Sequence, residues 1–324
     1  MMTTHATLGI DIAKANYHVS LRRTDGKRRH KQWTNTPTGH AALLEWLERY
    51  TDAPVHACLE ATGTYGEAVA TALAEAGHVV SVVNPAAVKA FAQSQLRRTK
   101  TDEVDANVLA DFCAAMMPAP WTPWPVEVRT LQGLVRRHDA VQEMLTQELN
   151  RQQAGLLAAP VAASLQRMID ALQAELADLA RQIRDHLDQH PGLRAQRDLL
   201  CTIPGIGAAT AARLLAECRA ITDFDSARAY AAFAGLVPRD RQSGASRPRA
   251  HLSKLGAARL RWALYFPALA AMRFNPILHT FSARLLAAGK QKMVVVAAVM
   301  RKLLHIAYGV LKHQRPFDPQ ALRA

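Results

Sequence analysis

Residues 7–34 read TLGIDIAKANYHVSLRRTDGKRRHKQWT, and this stretch decides how the first part of the chain folds. It contains short β-type runs at residues 7–12, 17–22 and 28–33. The last two runs are separated by Asp25-Gly26, a pair that favours a tight hairpin turn. We therefore expect the chain to open with an antiparallel meander of three strands.

Helices and strands alternate in the segment that follows the meander. Periodicity predicts strands at residues 55–59 and 79–83, and helices at residues 40–50, 65–76, 86–93 and 102–115. Gly77 is a suitable stop signal for the second of these helices. A meander followed by alternating strands and helices is the order of the ribonuclease-H-like fold, so we predict an N-terminal α/β domain of that type.

Four acidic residues of this domain stand where one edge of a sheet can gather them. Asp11 interrupts an apolar strand, and Glu60 follows another strand at the end where ligands collect in open α/β sheets. Thr101 is a candidate cap for the last helix, and Asp102 and Asp105 share one face of it. Carboxylates suit magnesium, and two such ions about 4 Å apart can hold both reacting oxygens of a phosphoryl transfer. The alternative is that the acids at the helix start only complement its dipole.

The composition is that of a folded and strongly basic protein. The chain has 324 residues, of which 49% are hydrophobic, and this predicts two or three domains with real cores. The formal net charge of +13 indicates a polyanionic partner, either nucleic acid or a membrane surface. Solubility alone is the plainer explanation of that charge.

Cysteine usage and hydropathy indicate a soluble cytoplasmic protein. The cysteines at positions 58, 113, 201 and 218 form no Cys-x-x-Cys pair, which fits buried thiols better than a disulfide framework or a zinc site. The N-terminus lacks the pattern of a secretory signal. The longest apolar stretch near the C-terminus, residues 293–300, is too short to span a bilayer, so we expect no membrane partner.

A proline-rich connector at residues 118–125 separates the α/β domain from a helical segment. Residues 126–153 read as one long amphipathic helix, and a second helix carries apolar residues at spacings of mostly four and three, as in a coiled-coil seam. The seam is either an intramolecular hairpin or a contact between protomers. We divide the chain into an α/β domain (1–117), a linker with the coiled-coil segment (118–195) and a mainly α-helical C-terminal domain (196–324).

The C-terminal segment opens with Ile203-Pro-Gly-Ile-Gly207 followed by a helical pattern. This resembles the hairpin of helix-hairpin-helix modules, in which Gly205 and Gly207 would let backbone amides approach a phosphate. The alternative is a simple tight turn between packed helices.

A loop crowded with arginine follows Pro238. Basic residues are dense around it: Arg239, Arg241, Arg247, Arg249, Lys254, Arg259 and Arg261. Guanidinium groups suit phosphate oxygens, and here they can stabilise the charge that develops when the Ser243 hydroxyl attacks phosphorus. A loop in which Ser243 only donates a hydrogen bond to phosphate is an equal alternative, and Ser246 and Ser253 are rival nucleophiles. Three more basic residues, Arg97, Arg98 and Lys100, precede the acids Asp102 and Asp105. They either bind a phosphate or form the solvated start of a helix.

The chain resembles the insertion-sequence transposases of the IS-one-ten type, also called DEDD transposases or bridge-RNA-guided recombinases. The motifs that carry the resemblance run in order over nearly the whole chain. They are Gly9-Ile-Asp-Ile-Ala-Lys14, Leu59-Glu-Ala-Thr-Gly63, Lys100-Thr-Asp-Glu-Val-Asp-Ala106, Ile203-Pro-Gly-Ile-Gly207, Ala234-Gly-Leu-Val-Pro238, Gln242-Ser-Gly244 and Leu252-Ser-Lys-Leu-Gly256. The chain departs from the family at Arg247-Pro248-Arg249, where the family often has Arg-Gly.

The resemblance implies both a fold and a mechanism. The N-terminal domain would be RuvC-like, with Asp11, Glu60, Asp102 and Asp105 as an acidic tetrad that binds Mg²⁺, with Mn²⁺ as a substitute. The C-terminal transposase domain would carry Ser243 as the nucleophile that forms a covalent phosphoserine intermediate with DNA. A homo-oligomer, dimer or tetramer, would form composite sites from domains of different protomers. A structured guide RNA would pair with donor and target DNA in the bacterial cytosol.

The leading hypothesis is thus a DNA transposase with a serine nucleophile, a magnesium site and RNA guidance. A second hypothesis is a metal-dependent structure-selective nuclease, similar to a Holliday-junction resolvase, in which Ser243 only binds phosphate. A third is a nucleic-acid-binding protein with a decayed active site.

Overall fold

The computed structural model describes residues 5–61, 65–95, 101–155, 158–218, 221–239, 251–253 and 256–320. The chain divides into two compact units, Met1–Pro123 and Trp124–Ala324. The first is built around a mixed sheet, and the second is mostly helical.

The first unit has five strands and four helices among its described residues. The strands are β1 (Thr7–Ile12), β2 (Asn16–Arg22), β3 (Arg28–Thr34), β4 (His56–Glu60) and β5 (Val79–Val83). The helices are α1 (Pro37–Tyr50), α2 (Glu67–Glu75), α3 (Pro85–Ser94) and α4 (Asp102–Met116).

The strands form one sheet in the order β3-β2-β1-β4-β5. Strands β1, β2 and β3 pair antiparallel, whereas β4 pairs parallel with both β1 and β5. The predicted meander and the mixed α/β character of this unit are confirmed. Gly26 in the turn between β2 and β3 has a φ of 83°, a left-handed conformation that glycine adopts without strain.

Helices cover both faces of this sheet. Leu8 and Ile10 of β1 point to the face covered by α1 and α2, where they join a large apolar core. Thr7 and Gly9 alternate with them and face α4 on the opposite side. Cys58 of β4 belongs to a second apolar cluster on the α4 side. Because side chains alternate along a strand, successive residues of β1 face the helices on opposite sides of the sheet.

Two helices begin at positions that differ from the prediction. α1 begins at Pro37 rather than residue 40, because Thr36 caps it by accepting a hydrogen bond from the backbone N–H of Gly39, and proline suits a first helical position. α2 begins at Glu67 rather than residue 65, after Gly66, whose flexibility disfavours helix.

The first unit continues through the beginning of the proline-rich connector. The backbone N–H of Trp121 donates to the carbonyl of Val80 in β5 over 2.6 Å. The Ser81 hydroxyl lies 2.9 Å from the carbonyl oxygens of both Pro118 and Ala119. These contacts tie the connector to the sheet edge, which explains why the compact unit ends at Pro123.

The second unit is mostly helical. Its helices are α5 (Val126–Gln153), α6 (Ala159–Gln189), α7 (Pro191–Cys201), α8 (Ala208–Glu217), α9 (Ala227–Phe233), α10 (Ala258–Ala263), α11 (Tyr265–Phe274), α12 (Pro276–Ala287) and α13 (Lys292–His313). Two short strands, β6 (Pro238–Arg239) and β7 (His251–Leu252), form a separate ladder.

Helix α13 lies in the core of the second unit. It packs against α7, α9, α11 and α12, and its apolar residues belong to the unit's largest buried cluster. By length and composition this helix is apolar enough to cross a membrane, but 61% of its most apolar 18-residue stretch is buried inside the unit. That burial is typical of a core helix in a folded domain.

Helices α5 and α6 pack on each other within one chain. This is the intramolecular hairpin that the seam allowed, and Ile169, Leu179 and Leu187 of α6 are buried. Ion pairs tie α5 to α8 as well: Arg213 donates to Asp139 over 2.9 Å. Burial raises the pKa of the Asp139 carboxyl, but hydrogen bonds from His138 and Arg213 more than offset this, so the pKa lies below its ordinary value.

The helix predicted near residues 257–273 is in fact two helices, α10 and α11. Pro267 has no N–H to donate to the carbonyl of Ala263, and its ring crowds that carbonyl. The helix consequently breaks at Leu264, whose φ and ψ are −91° and −10°.

Candidate active site

The first pair of predicted acids lies on neighbouring parallel strands. In the register of β1 and β4, Ile10 stands beside Leu59, so Asp11 and Glu60 are the next residues along the two strands. Side chains in register on parallel strands point to the same face. Cys58, two residues before Glu60, faces α4, and the same alternation directs Glu60 to the α4 side of the sheet.

Helix α4 lies directly on β1 and runs antiparallel to it. The Thr7 hydroxyl donates to the carbonyl of Ala110 over 3.1 Å. A Cβ on Gly9 would lie only 2.0 Å from the carbonyl oxygen of Ala106, so glycine is what permits this close approach. From Ala106 back to Asp102 is about 6 Å along a helix, and from Gly9 to Asp11 is about 6.6 Å along a strand. The first turn of α4 is therefore level with Asp11.

That first turn carries the second pair of acids. Thr101 caps α4 by accepting a hydrogen bond from the backbone N–H of Val104 over 3.3 Å, as predicted. Asp102 and Asp105 both lie in the first turn. His18 of β2, which pairs with Asp11 across the sheet, places its Nε2 atom 3.4 Å from Oδ2 of Asp102. This contact places the start of α4 beside the end of β1 and the beginning of β2.

A polar layer between β2, β3 and α4 was missed by the sequence analysis. Oδ1 of Asn107 accepts a hydrogen bond from the Ser20 hydroxyl over 2.7 Å and lies 2.9 Å from Nε2 of His30. Arg28 also reaches this oxygen, over 3.1 Å, and it forms an ion pair with Asp111. The sequence did contain a signal for this layer. Ser20 alternates with apolar residues of β2, and the polar residues Asn107 and Asp111 lie one helical turn apart on α4.

The donor set suits a hard divalent cation, since Mg²⁺ and Mn²⁺ prefer carboxylate oxygens. Within the described ranges, however, no three His, Cys, Asp or Glu side chains lie close enough together to hold one metal ion. The acids therefore match a metal site in chemical type, and Asp11 and Glu60 share one edge of the sheet, but the described side chains are not gathered around one ion. The basic residues predicted beside them, Arg97, Arg98 and Lys100, lie outside the described residues.

The arginine-rich loop of the second unit has a defined base. Strands β6 and β7 pair antiparallel, so residues 239 and 251 are neighbours across the ladder. The segment between them, which contains Arg241, Ser243, Ser246, Arg247 and Arg249, lies outside the described residues, as does Lys254. The rival nucleophile Ser253 is described, and its backbone N–H donates to the carbonyl of Val237 over 2.9 Å.

Two glycines shape this base. Gly235 ends α9 with a φ of 67°, and the next N–H, that of Leu236, returns to the carbonyl of Ala231. Gly256 has a φ of 128°, and a Cβ there would lie 2.2 Å from the carbonyl oxygen of Phe233. Both glycines belong to motifs that carry the family resemblance, and both are explained by backbone conformation and close packing at the foot of the loop.

The two glycines of the helix-hairpin-helix-like motif differ in their surroundings. Gly205 has a φ of 107°, and its Cβ would lie 2.7 Å from Cβ of Ala271, so it is packed against α11. Gly207 precedes α8, has open space around it, and is exposed. Packing accounts for Gly205, whereas Gly207 and the first turn of α8 face solvent.

Both units match models of transposases. One model for DEDD transposases, described as "Transposase", matches residues 8–159, and another, described as "Transposase IS116/IS110/IS902 family", matches residues 197–283. The class that these matches define is an enzyme that cleaves and rejoins DNA. Membership in the DEDD class also suggests dependence on a divalent metal.

Full-length relatives support the same assignment. The chain is 34% identical over 320 residues to the "Pilin gene-inverting protein" of Moraxella bovis, covering 96% of this chain and 97% of that protein. It is 28% identical over 358 residues to a "Probable family 20 transposase" of Pseudomonas aeruginosa, covering 96% and 98% of the two chains. The chain belongs to the IS110 family of insertion-sequence transposases.

Proposed function

We propose that the first unit is a RuvC-like domain of ribonuclease-H fold, and that Asp11, Glu60, Asp102 and Asp105 hold two Mg²⁺ ions there. Ser243 of the second unit is the nucleophile in this proposal. The observation that carries it is the packing of α4 across β1, which aligns the helix start with the end of β1. In the second unit, support comes from the β6–β7 ladder, which closes the base of the arginine-rich loop.

The reaction conserves phosphodiester bonds. The Ser243 oxygen loses its proton and bonds to phosphorus, while the bond from phosphorus to the leaving deoxyribose oxygen breaks and that oxygen becomes a free hydroxyl. A hydroxyl of the partner strand then attacks the phosphoserine, and the serine hydroxyl is restored. A divalent metal held by Asp11, Glu60, Asp102 and Asp105 would supply charge stabilisation at the phosphate oxygens. Because no step uses water, strand exchange needs no external energy source.

The remaining predicted residues bind the polynucleotide. Arginines 239, 241, 247 and 249 with Lys254 neutralise phosphates around Ser243. Arg97, Arg98 and Lys100 do the same near the acids, and the amide following Gly207 at the start of α8 faces a further phosphate. Gly205 has no such role in this proposal, because the N–H of Ile206 after it already donates to the carbonyl of Ile203 over 2.9 Å. With this many phosphate contacts, the affinity for DNA falls steeply as salt is raised. An affinity that does not change with salt would contradict this assignment.

The decisive experiment traps the covalent intermediate. Wild-type protein with its cognate DNA and Mg²⁺ is expected to form an adduct that survives denaturation, and peptide mapping should find the phosphate on Ser243. Ser243→Ala should bind DNA and form no adduct, whereas Ser246→Ala and Ser253→Ala, the matched controls, should still form it. An adduct on either control serine, or hydrolysed products that persist in Ser243→Ala, would reject the serine assignment.

The nuclease hypothesis is tested by the same variants. It predicts Mg²⁺-dependent hydrolysis in which Ser243→Ala only weakens DNA binding. Asp11→Asn and Glu60→Gln should abolish cleavage under either hypothesis, and they should also remove the thermal stabilisation that added Mg²⁺ or Mn²⁺ gives the wild type. A stabilisation that persists in both variants would place the metal elsewhere. Loss of all cleavage in the wild type with every substrate would favour the decayed-site hypothesis.

The substrates are donor and target DNA, and a structured RNA from the non-coding end of the element selects them in this proposal. Two Moraxella relatives carry the name "Pilin gene-inverting protein", which agrees with DNA as the substrate. The test is recombination of paired plasmid sites with and without RNA transcribed from the flank of the gene. Equal recombination without RNA would show that the protein needs no guide RNA. Light scattering of the assembled complex decides between dimer and tetramer.

A further inference from the structure

Helices α10 and α11 present an apolar stripe on the side where a helix normally carries charge. Their buried residues repeat at helical spacing on one face: Leu260, Ala263, Leu264, Pro267, Ala268 and Ala271. The opposite face carries Trp262, Phe266 and Leu269, at spacings of four and three. These side chains are 56%, 70% and 39% exposed, so the core does not account for them.

Cations surround this stripe. The guanidinium carbon of Arg213 on α8 lies 5.8 Å from the ring centre of Trp262, within the range of a cation–π contact, while Arg213 also bonds to Asp139. Arg259 and Arg273 are exposed on the same pair of helices. No Asp or Glu occurs anywhere in residues 241–317, which contain fourteen Lys and Arg residues. An anionic partner is therefore favoured at this surface.

We propose that Trp262, Phe266 and Leu269 form a stacking platform for the bases of an unpaired DNA strand, with the neighbouring arginines neutralising its phosphates. Aromatic rings beside cations are how proteins bind single strands without reading their sequence, because every base has a π-face. That the polynucleotide is DNA rests on the proposed function, because strand exchange separates DNA strands from their complements. A stacking platform would offset the free-energy cost of unstacking the bases of the separated strand.

A second copy of the chain fits this surface less well. The exposed area of the three side chains is on the order of 350 Å². A stable protein interface buries about 800 Å² on each partner. A self-contact through this stripe would also bring together two copies of helices that carry arginines and no acid, which like-charge repulsion opposes.

The test compares aromatic stacking with simple hydrophobic contact. Trp262→Leu and Phe266→Leu keep an apolar side chain and remove the rings, whereas Trp262→Phe and Phe266→Tyr keep a ring. Val161→Ala, an exposed apolar position on α6, is the control for a general surface change. Binding of the full-length protein to labelled oligothymidylate is measured by fluorescence anisotropy, alongside a duplex and an abasic strand of the same length.

Each Leu variant is expected to bind oligothymidylate about tenfold more weakly than wild type. Phe266→Tyr, Trp262→Phe and Val161→Ala should remain near wild type, and the abasic strand should bind equally to all variants. Unchanged oligothymidylate binding by both Leu variants overturns the inference. So does tighter, ring-dependent binding of an RNA of the same length, or a change in sedimentation showing that the stripe holds two copies together.

Failure of this inference is separable from failure of the proposed function. If the Leu variants bind single strands normally and still form the Ser243 adduct, only the platform is wrong. If wild-type protein binds neither duplex nor single strand, the proposed function fails with it. A loss confined to single-stranded substrates, with duplex binding and melting temperature unchanged, supports the platform.

Discussion

Replacing Gly9 by alanine tests the contact on which the candidate site depends. The added Cβ would lie 2.0 Å from the carbonyl oxygen of Ala106 and 2.4 Å from the backbone nitrogen of Ala110. Since non-bonded atoms of this kind keep about 3.5 Å, α4 must retreat from β1 by roughly 1.5 Å. Overpacking of this kind and the weakened Thr7–Ala110 hydrogen bond together cost about 2–3 kcal/mol. The first turn of α4, with Asp102 and Asp105, should retreat from Asp11 at the same time.

Hydrogen exchange measured by mass spectrometry localises the effect. Peptides from α4 and β1 are expected to exchange roughly 30- to 150-fold faster in Gly9→Ala. DNA cleavage should fall while duplex binding by the second unit persists. Gly133→Ala is the matched control, because Gly133 lies in α5 with open space around it, and alanine there should stabilise the helix by up to about 1 kcal/mol. Wild-type exchange rates in α4 of Gly9→Ala would refute the described packing.

Further outcomes are expected in the second unit. Gly205→Ala should lower the melting temperature, because its φ of 107° and its contact with Ala271 both exclude a Cβ; weaker DNA binding with unchanged stability would contradict the packing explanation. Asp139→Asn should cost about 2 kcal/mol at neutral pH. Since the folded pKa of Asp139 lies below its ordinary value of 3.8, the wild type loses this stability as pH falls through that lower pKa, and urea titrations of the variant should lack that loss. A thiol reagent should modify one cysteine per native chain, Cys201, because the other three are buried; rapid modification of more would contradict their burial.

Local patterns predicted most elements of the first unit. The strands at residues 7–12 and 79–83 have the predicted bounds, and so does α5 in the second unit. Residues 79–83 are closed by Asn84-Pro85 and residues 126–153 by Gly155, whereas residues 7–12 were recognisable as a strand although Asp11 interrupts their apolar pattern. The start of α1 was misplaced because the apolar pattern begins at residue 40, whereas the capping signal of Thr36 and Pro37 lies upstream of it. Capping chemistry decided that boundary and hydrophobic periodicity did not.

Non-local contacts limited the prediction of the site. The alignment of Asp11 with the start of α4 depends on how deeply the helix rests on β1, and that depth depends on a missing side chain at Gly9. The sequence shows the glycine but not its partner, which lies about a hundred residues away. The polar layer around Asn107 was missed for the same reason, since its members belong to β2, β3 and α4 and meet only in three dimensions.

The glycines of the family motifs are explained by backbone structure and not by chemistry. Gly9 occurs in the motif that holds Asp11, whereas Gly235 and Gly256 occur in motifs on either side of the Ser243 motif, and each glycine is explained by backbone packing or a left-handed conformation. Chemistry alone would not require glycine at any of these positions. The first motif therefore combines the carboxylate of Asp11 with the glycine that lets β1 and α4 approach beside it. Substituting the glycine should displace the reactive group without altering it, so alanine at Gly9 should reduce cleavage even though every carboxylate is retained.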